Sequence, residues 1–341
     1  MSPGGEPGAS PAAVPGASPH ARRRTALLRT LQAFVTIALF VLLWRFADGA
    51  DAAQVLLGVN PLFIIAALLA LTLHTVLAAE RWRLTAGALG LPLGRWHALR
   101  EYYLAQLVNS TVPGGVVGDA SRAVRSRGQA GLTVAAQAVV VERFAGQVAV
   151  IATMVVAIAV TTLVPGGLDW PAWMLGLAAA ITAGCLVGLG LLLAATRLPG
   201  RVGPRLTELS RTAAIALVGR RVVLKQVALS AGTTACILAA FAFCALAVGL
   251  SLPVAAILTL VPLILLTTLI PITISGWGLR EGAAAALLPL AGATTSASLA
   301  ASVAFGLVGL VAVLPGAAVV WMSSRERSST ARVARAGRRV S

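Results

Sequence analysis

Charged side chains are scarce in this chain. Asp, Glu, Lys and Arg make up 11% of its 341 residues, whereas 58% of the residues are hydrophobic, and the mean hydropathy is +0.90. An ordinary soluble domain has about 25% charged residues, so a soluble globular protein is excluded. Uncharged stretches long enough to cross a hydrocarbon core of about 30 Å recur along the chain. They indicate a polytopic membrane protein.

Cysteine is also rare. The three cysteines, Cys185, Cys236 and Cys244, fall within apolar segments and show neither a Cys-x-x-Cys motif nor a metal-site spacing with histidine. We interpret them as packing residues. No Walker A or His-Glu-x-x-His motif occurs in the sequence. We therefore expect no cofactor and no metal.

Lysine occurs once, at Lys225, against 26 arginines. This bias is typical of a high-GC genome and predicts a bacterial plasma membrane. The formal net charge of +16 would suggest a nucleic-acid partner in a soluble protein. Here the basic residues lie between apolar stretches, so we attribute the charge to topology and contact with the inner leaflet. We expect no nucleic-acid partner.

The basic residues also orient the chain, because Lys and Arg accumulate in loops that remain cytoplasmic. Of the 27 basic residues, 24 fall on one side if the chain crosses the membrane six times. The predicted crossings are 26–46, 61–80, 132–163, 171–196, 222–249 and 297–322. Both termini are then cytoplasmic, as a disordered tail at 1–25 and a basic tail at 323–341 that flank a transmembrane domain at 26–322.

Two further segments, 96–130 and 253–293, are predicted to be re-entrant hairpins. In each, an apolar half-helix leads to Pro and Gly and then to charged residues. These residues interrupt a helix, and the released backbone groups are tolerated at membrane depth where protein or a water-filled cavity satisfies them. Aligning Gly118 with Gly278 superposes the segments and predicts an inverted repeat, a pattern typical of transporter binding sites. The alternative is eight full crossings, which the distribution of basic residues disfavours.

Three motifs appear in order along the chain. They are Asn109 to Arg122, with Pro-Gly-Gly, Gly-Asp and then Arg; the pair Glu142-Arg143; and Pro-x-x-x-Ser-Gly-x-Gly-x-Arg-Glu at 271–281. Together they resemble the flippase-like transmembrane domain of lysylphosphatidylglycerol synthases and their stand-alone relatives, over residues 26–322. The third motif has Ser275-Gly276 where a glycine pair is expected.

The resemblance implies an all-α membrane bundle that moves lipids between leaflets. In the bifunctional synthases a soluble aminoacyl-transferring domain follows the membrane domain, whereas this chain ends soon after its last predicted crossing. We therefore expect translocation and not lipid aminoacylation. A separate lipid-modifying synthase is an expected partner.

Ionisable residues within the hydrocarbon region cost about 2.5 kcal/mol or more, so each is a candidate for function. We hypothesise that three arginines bind a lipid phosphate, because planar guanidinium groups suit phosphate geometry. Three acids would neutralise these arginines when no lipid is bound, and glycine amides could add donors to the anion. The candidate substrate-binding residues are Arg122, Arg143, Arg280, Asp119, Glu142, Glu281, Asn109, Pro113, Gly114, Gly115, Gly276 and Gly278.

A structural alternative is that the six charged residues only pin the hairpins to the bundle. Glu80, Arg81 and Arg83, and likewise Tyr102 and Tyr103, are interpreted as interfacial anchors. The leading functional hypothesis is a lipid flippase for an anionic phospholipid or a polyprenyl-phosphate-linked lipid. The alternatives are an integral membrane enzyme acting on a lipid-linked phosphate and a non-catalytic accessory subunit.

Overall fold

The computed structural model describes residues 49–111, 116–128, 130–163, 170–195, 197, 202–219, 222–270 and 272–321, with scattered positions between 30 and 45. Within these ranges the chain forms helices and no strands, as the sequence predicts. The predicted tails and most of the first predicted crossing lie outside the described residues. The helices are α1 (Gly49–Leu57), α2 (Pro61–Ala88), α3 (Arg95–Thr111), α4 (Val117–Arg125), α5 (Gly131–Leu163), α6 (Ala172–Ala195), α7 (Val202–Val218), α8 (Val223–Ala247), α9 (Val254–Leu266), α10 (Leu279–Leu287) and α11 (Thr295–Ala312). Two 3₁₀ turns, Thr267–Leu269 and Leu288–Ala291, follow α9 and α10.

Four helices of the described ranges are long and apolar enough to cross a membrane. They are α2, α5, α8 and Thr295–Trp321, which extends α11 past a turn. These helices coincide with four of the six predicted crossings. The predicted crossing at 171–196 corresponds to α6, whose apolar part, Ala172–Gly188, is shorter. The protein is a multi-pass helical membrane protein.

Helix α2 is the central element of the bundle. It begins where Asn60 caps it, with the side-chain Oδ1 accepting from the Leu62 amide at 3.0 Å, and Pro61 occupies the first helical position. It packs along α8 and also contacts α3, α5 and α11. One core cluster lies between α2, α8, α9, α10 and α11, and a second between α2, α3, α4 and α5. Alanine dominates the second cluster, which allows close helix approach.

The two predicted hairpins share a local order. In the first, α3 ends at Thr111 and the nine-residue α4 begins at Val117; in the second, α9 and its 3₁₀ turn precede the nine-residue α10. Both short helices begin within one residue of the aligned glycines, Gly118 and Gly278. This order supports the predicted repeat. Re-entry into the membrane and the inverted orientation of the copies stay predictions.

The second hairpin contains the predicted interruption. Ser275, Gly276 and Gly278 have positive φ angles of 53°, 78° and 88°, a region that a side chain rarely tolerates. Gly276 also packs against Thr268 so closely that a β-carbon would lie 2.7 Å from the Thr268 side chain. The helical backbone is therefore interrupted before α10, where the sequence places its small residues. Pro271, and Pro113 to Gly115 in the first hairpin, lie outside the described residues.

Candidate functional site

Five charged residues from α2, α4 and α5 form a polar cluster inside the bundle, which we call the arginine cluster. Its members are Arg81, Asp119, Arg122, Glu142 and Arg143. Four of them are buried, with relative exposures of 0% to 8%, whereas the Arg143 side chain is 39% exposed. The cluster therefore reaches the surface of the bundle at Arg143.

Glu142 is the centre of the cluster. Its Oε1 accepts from Arg81 Nη2 at 2.8 Å and from the Tyr102 hydroxyl at 3.3 Å. Its Oε2 accepts from Arg122 Nη2 at 3.3 Å. The carboxylate thus joins donors from α2, α3 and α4 to α5, and it is fully buried.

Arg81 anchors the cluster to α8. Its Nη1 donates to Thr233 Oγ1 at 2.9 Å, and its guanidinium lies against Gly146, where a β-carbon would come within 2.7 Å of Nη2. The interpretation of Arg81 as an interfacial anchor is therefore wrong. Glu80 and Arg83 instead pair with each other at 2.7 Å, with both side chains partly exposed.

The sequence did contain a signal for Arg81. The residues three before and four after it are Ala78 and Thr85, which are small enough for helix packing and are both buried. Residues at this spacing share a helix face, so Arg81 lies on the packed face of α2. Tyr102, also interpreted as an interfacial anchor, is buried at 1% exposure and belongs to the wall of the cluster.

Arg122 lies between two aromatic rings. Its guanidinium carbon is 4.4 Å from the Trp82 ring centroid and 4.6 Å from that of Tyr102, a geometry that stabilises a cation. Its Nη2 pairs with Asp119 Oδ1 at 3.1 Å as well as with Glu142. Its Nε and Nη1 are buried and have no hydrogen-bond partner within the described part of the chain. Arg122 therefore retains unused donors.

Asp119 is shared by two arginines. Arg143 binds it through two contacts, Nε to Oδ2 at 3.0 Å and Nη2 to Oδ1 at 2.9 Å. Asn109 supports the same carboxylate from α3, since its Nδ2 donates to Asp119 Oδ2 at 3.3 Å and its Oδ1 accepts from the Gly118 amide at 2.7 Å. Gly118 packs on the backbone of Ala105 with no room for a β-carbon. Asn109 and Gly118 thus fix the start of α4 against α3.

Arg280 and Glu281 form a second buried pair on α10. Arg280 donates from Nη2 to Glu281 Oε1 and from Nε to Ser302 Oγ at 3.2 Å. Glu281 Oε2 accepts from the Gly278 amide at 2.7 Å. This amide is therefore occupied within the protein, and the prediction that it is free to bind an anion is wrong. The Arg280 guanidinium carbon also lies 5.0 Å from the Trp277 ring centroid.

The two buried groups are separate. Arg280 and Glu281 make their polar contacts with each other, Gly278 and Ser302, and no hydrogen bond or ion pair among the described residues joins them to the arginine cluster. The structure therefore brings together Asn109, Asp119, Arg122, Glu142 and Arg143, and it places Arg280 and Glu281 apart from them.

No group of three His, Cys, Asp or Glu side chains suited to a metal ion occurs among the residues that the structure describes. The cluster instead offers guanidinium donors and carboxylate acceptors. Guanidinium donors of this kind suit the geometry of an anion such as a phosphate.

A multi-pass helical bundle with a buried, arginine-rich cluster defines the class of this protein. Comparison with known protein families identifies the family, because residues 30–316 match the lysylphosphatidylglycerol synthase transmembrane region. The chain belongs to this family, as its three motifs predict, and thus to membrane proteins involved in lipid handling. No curated protein matches the chain significantly.

Proposed function

We propose that this protein translocates a phosphate-bearing lipid between membrane leaflets and that the arginine cluster binds the lipid phosphate. The observation that carries the proposal is the charge of the cluster. Within the described residues it contains three arginines and two acids, so its formal charge is +1. The substrate is an anionic phospholipid or a polyprenyl-phosphate-linked lipid.

The four buried members of the cluster balance in charge, so the surplus belongs to Arg143, whose partly exposed side chain could meet an incoming anion. A buried cation needs a counter-ion or a polar network to offset the loss of hydration. Arg122 lies between two aromatic rings and beside two acids. Its Nε and Nη1 nevertheless have no hydrogen-bond partner among the described residues. A phosphodiester carries one negative charge and several acceptor oxygens, so it would neutralise the surplus and accept from these donors.

Arg143 is the residue at which a lipid phosphate would first contact the arginine cluster. It is the partly exposed member of the cluster, and it shares Asp119 with Arg122. An incoming phosphate would compete with Asp119 for the two guanidinium groups, and its departure would return them to Asp119. This exchange lets the site release the headgroup, as transport requires. Glu142, paired with Arg81, keeps Arg122 in position throughout this exchange.

Translocation requires no change in the lipid itself, so the proposal describes a transporter and not an enzyme. We further propose that the protein lies in the cell membrane with both termini cytoplasmic, as the basic loops predict. A separate synthase would then supply any modified lipid. The cluster accepts a phosphate whichever group the headgroup carries beyond it.

The test is leaflet exchange of fluorescent phosphatidylglycerol in proteoliposomes, measured by the fraction of probe that an external quencher reaches over time. We compare the wild type with Arg143→Ala, and with Arg211→Ala as control because Arg211 is exposed on α7. Hydrogen bonds to charged groups contribute about 1.5–3 kcal/mol, so Arg143→Ala is expected to slow exchange at least about tenfold. Arg211→Ala is expected to exchange lipid at the wild-type rate.

Equal exchange by the wild type and Arg143→Ala would contradict the phosphate site, provided that both proteins have the same melting temperature. The lipids are extracted afterwards and analysed by mass spectrometry. Unchanged lipid is expected, and a new lipid species would favour the enzyme alternative. Arg143→Lys keeps the charge without the paired donors. Its rate of leaflet exchange is expected to lie between those of the wild type and Arg143→Ala.

A further inference from the structure

A second basic site lies on the opposite face of α2 from the arginine cluster. It is an open groove of about 780 Å³ between α2 and the first two turns of α3 and α8. Arg83, Arg95 and Lys225 line it together with one acid, Glu80. We call it the basic groove. Because Glu80 and Arg83 face the groove while Arg81 faces the cluster, α2 separates the two sites.

Glu80 positions the two arginines of the groove. Its Oε2 lies 2.7 Å from Arg83 Nη2, and its Oε1 lies 3.1 Å from Arg95 Nε. Both carboxylate oxygens are therefore used, and Arg95 keeps its terminal nitrogens for another acceptor. Lys225 is exposed and forms no ion pair with a described residue. These three basic residues and one acid carry a formal charge of +2.

Below this charged rim the groove is apolar. Val76, Ala79, Leu99, Ala228 and Leu229 complete its lining. Trp96, also in the lining, is 83% exposed, and tryptophan is enriched at the boundary between headgroups and hydrocarbon. The site therefore combines phosphate-binding donors with a surface for an acyl chain.

We propose that the basic groove binds an anionic glycerophospholipid, with its phosphate on Arg95 and Lys225 and one acyl chain along Leu229 and Val76. Charge complementarity favours an anionic lipid, since a zwitterionic lipid would leave the surplus positive charge of the groove uncompensated. The apolar floor selects a lipid over a free phosphate. The bound lipid would fill the gap between α3 and α8. This site is distinct from the proposed transport path, because no hydrogen bond or ion pair among the described residues joins the basic groove to the arginine cluster.

The test uses the full chain in nanodiscs that contain equal amounts of phosphatidylglycerol and phosphatidylcholine, with bound lipids counted by native mass spectrometry. The wild type is expected to retain phosphatidylglycerol preferentially. In the variant Arg95→Ala/Lys225→Ala, the preference for phosphatidylglycerol is expected to fall about fivefold for each basic side chain removed. This ratio corresponds to about 1 kcal/mol per residue. Arg197→Ala/Arg211→Ala removes the same charge from exposed positions outside the groove and is expected to behave as the wild type.

Two further measurements separate the headgroup from the chain. Ala228→Trp fills the apolar floor without a change in charge and is expected to reduce lipid retention, whereas added glycerol phosphate is expected not to displace the lipid. Equal retention of the two lipids by the wild type, or equal losses in both double variants, would overturn the proposal. A variant that unfolds is replaced by Glu80→Gln, which removes the acid that Arg83 and Arg95 share, raises the formal charge of the groove from +2 to +3 and is expected to strengthen retention of phosphatidylglycerol. Because the readout is binding, a failure here leaves the leaflet-exchange result unaffected.

Discussion

Arg81 Nη2 lies 2.8 Å from Glu142 Oε1, although the two residues are 61 positions apart on separate helices. This pair ties α2 to α5 inside the bundle, and Tyr102 and Arg122 bind the same carboxylate from α3 and α4. Four helices therefore meet at a single acid. Removing either partner of the pair leaves the other charge buried without its main counter-ion.

Arg81→Ala is expected to destabilise the protein far more than Arg83→Ala, although the two positions are close neighbours on one helix. Breaking a buried ion pair costs about 3–5 kcal/mol, whereas a partly exposed pair contributes about 0–1 kcal/mol. The measurement is thermal unfolding in detergent, followed by the loss of soluble monodisperse protein on heating. Similar melting temperatures for the two variants would refute the central role of Arg81.

Glu142→Gln is expected to lower the melting temperature strongly, because it keeps the shape of the side chain and removes the negative charge. The cluster would then hold three arginines and one acid. Glu208→Gln is the matched control, since Glu208 is exposed on α7, and we expect no change from it. If the two variants unfold alike, the carboxylate charge of Glu142 does not stabilise the fold.

Arg122→Lys is expected to slow leaflet exchange strongly, although the charge is unchanged. Lysine lacks the flat guanidinium that lies between Trp82 and Tyr102, and cation–π contacts of this kind contribute about 0.5–2 kcal/mol. Lysine also lacks the paired donors that we assign to the lipid phosphate. Leaflet exchange and thermal unfolding are measured together, with Arg211→Lys as control. Wild-type values in both assays would exclude a specific role for the guanidinium.

Gly306→Ala is expected to displace the second buried arginine. A β-carbon at Gly306 would overlap Arg280 Nη2 and come within 2.7 Å of the Trp277 ring. Gly309→Ala on the same helix is the control, because nothing lies within 4 Å of its β-carbon and alanine favours a helix by about 1 kcal/mol over glycine. We expect a lower melting temperature for the first variant and an equal or higher one for the second. The reverse order would mean that Arg280 does not pack as described.

The interruption of the second hairpin was predictable from residue types. Its glycines occupy positions with positive φ angles, a conformation that has a steric cost for other residues. Ser275 adopts the same region without being a glycine, which the sequence pattern does not indicate. Asn109 was also predicted as a substrate-binding residue, and the structure shows that it contacts Asp119 of the arginine cluster and Gly118.

The amino-acid sequence by itself determined the class of protein, the family and most of the spanning helices, because hydrophobic length and composition are local properties that a bilayer selects directly. It also singled out Glu142, Arg143, Asp119 and Arg122 as charged residues that would be costly to bury. The tertiary structure decided how these charges pair. Ion pairs depend on which helix faces meet, so Glu142 pairs with Arg81, and Arg280 pairs with its neighbour Glu281 apart from the arginine cluster.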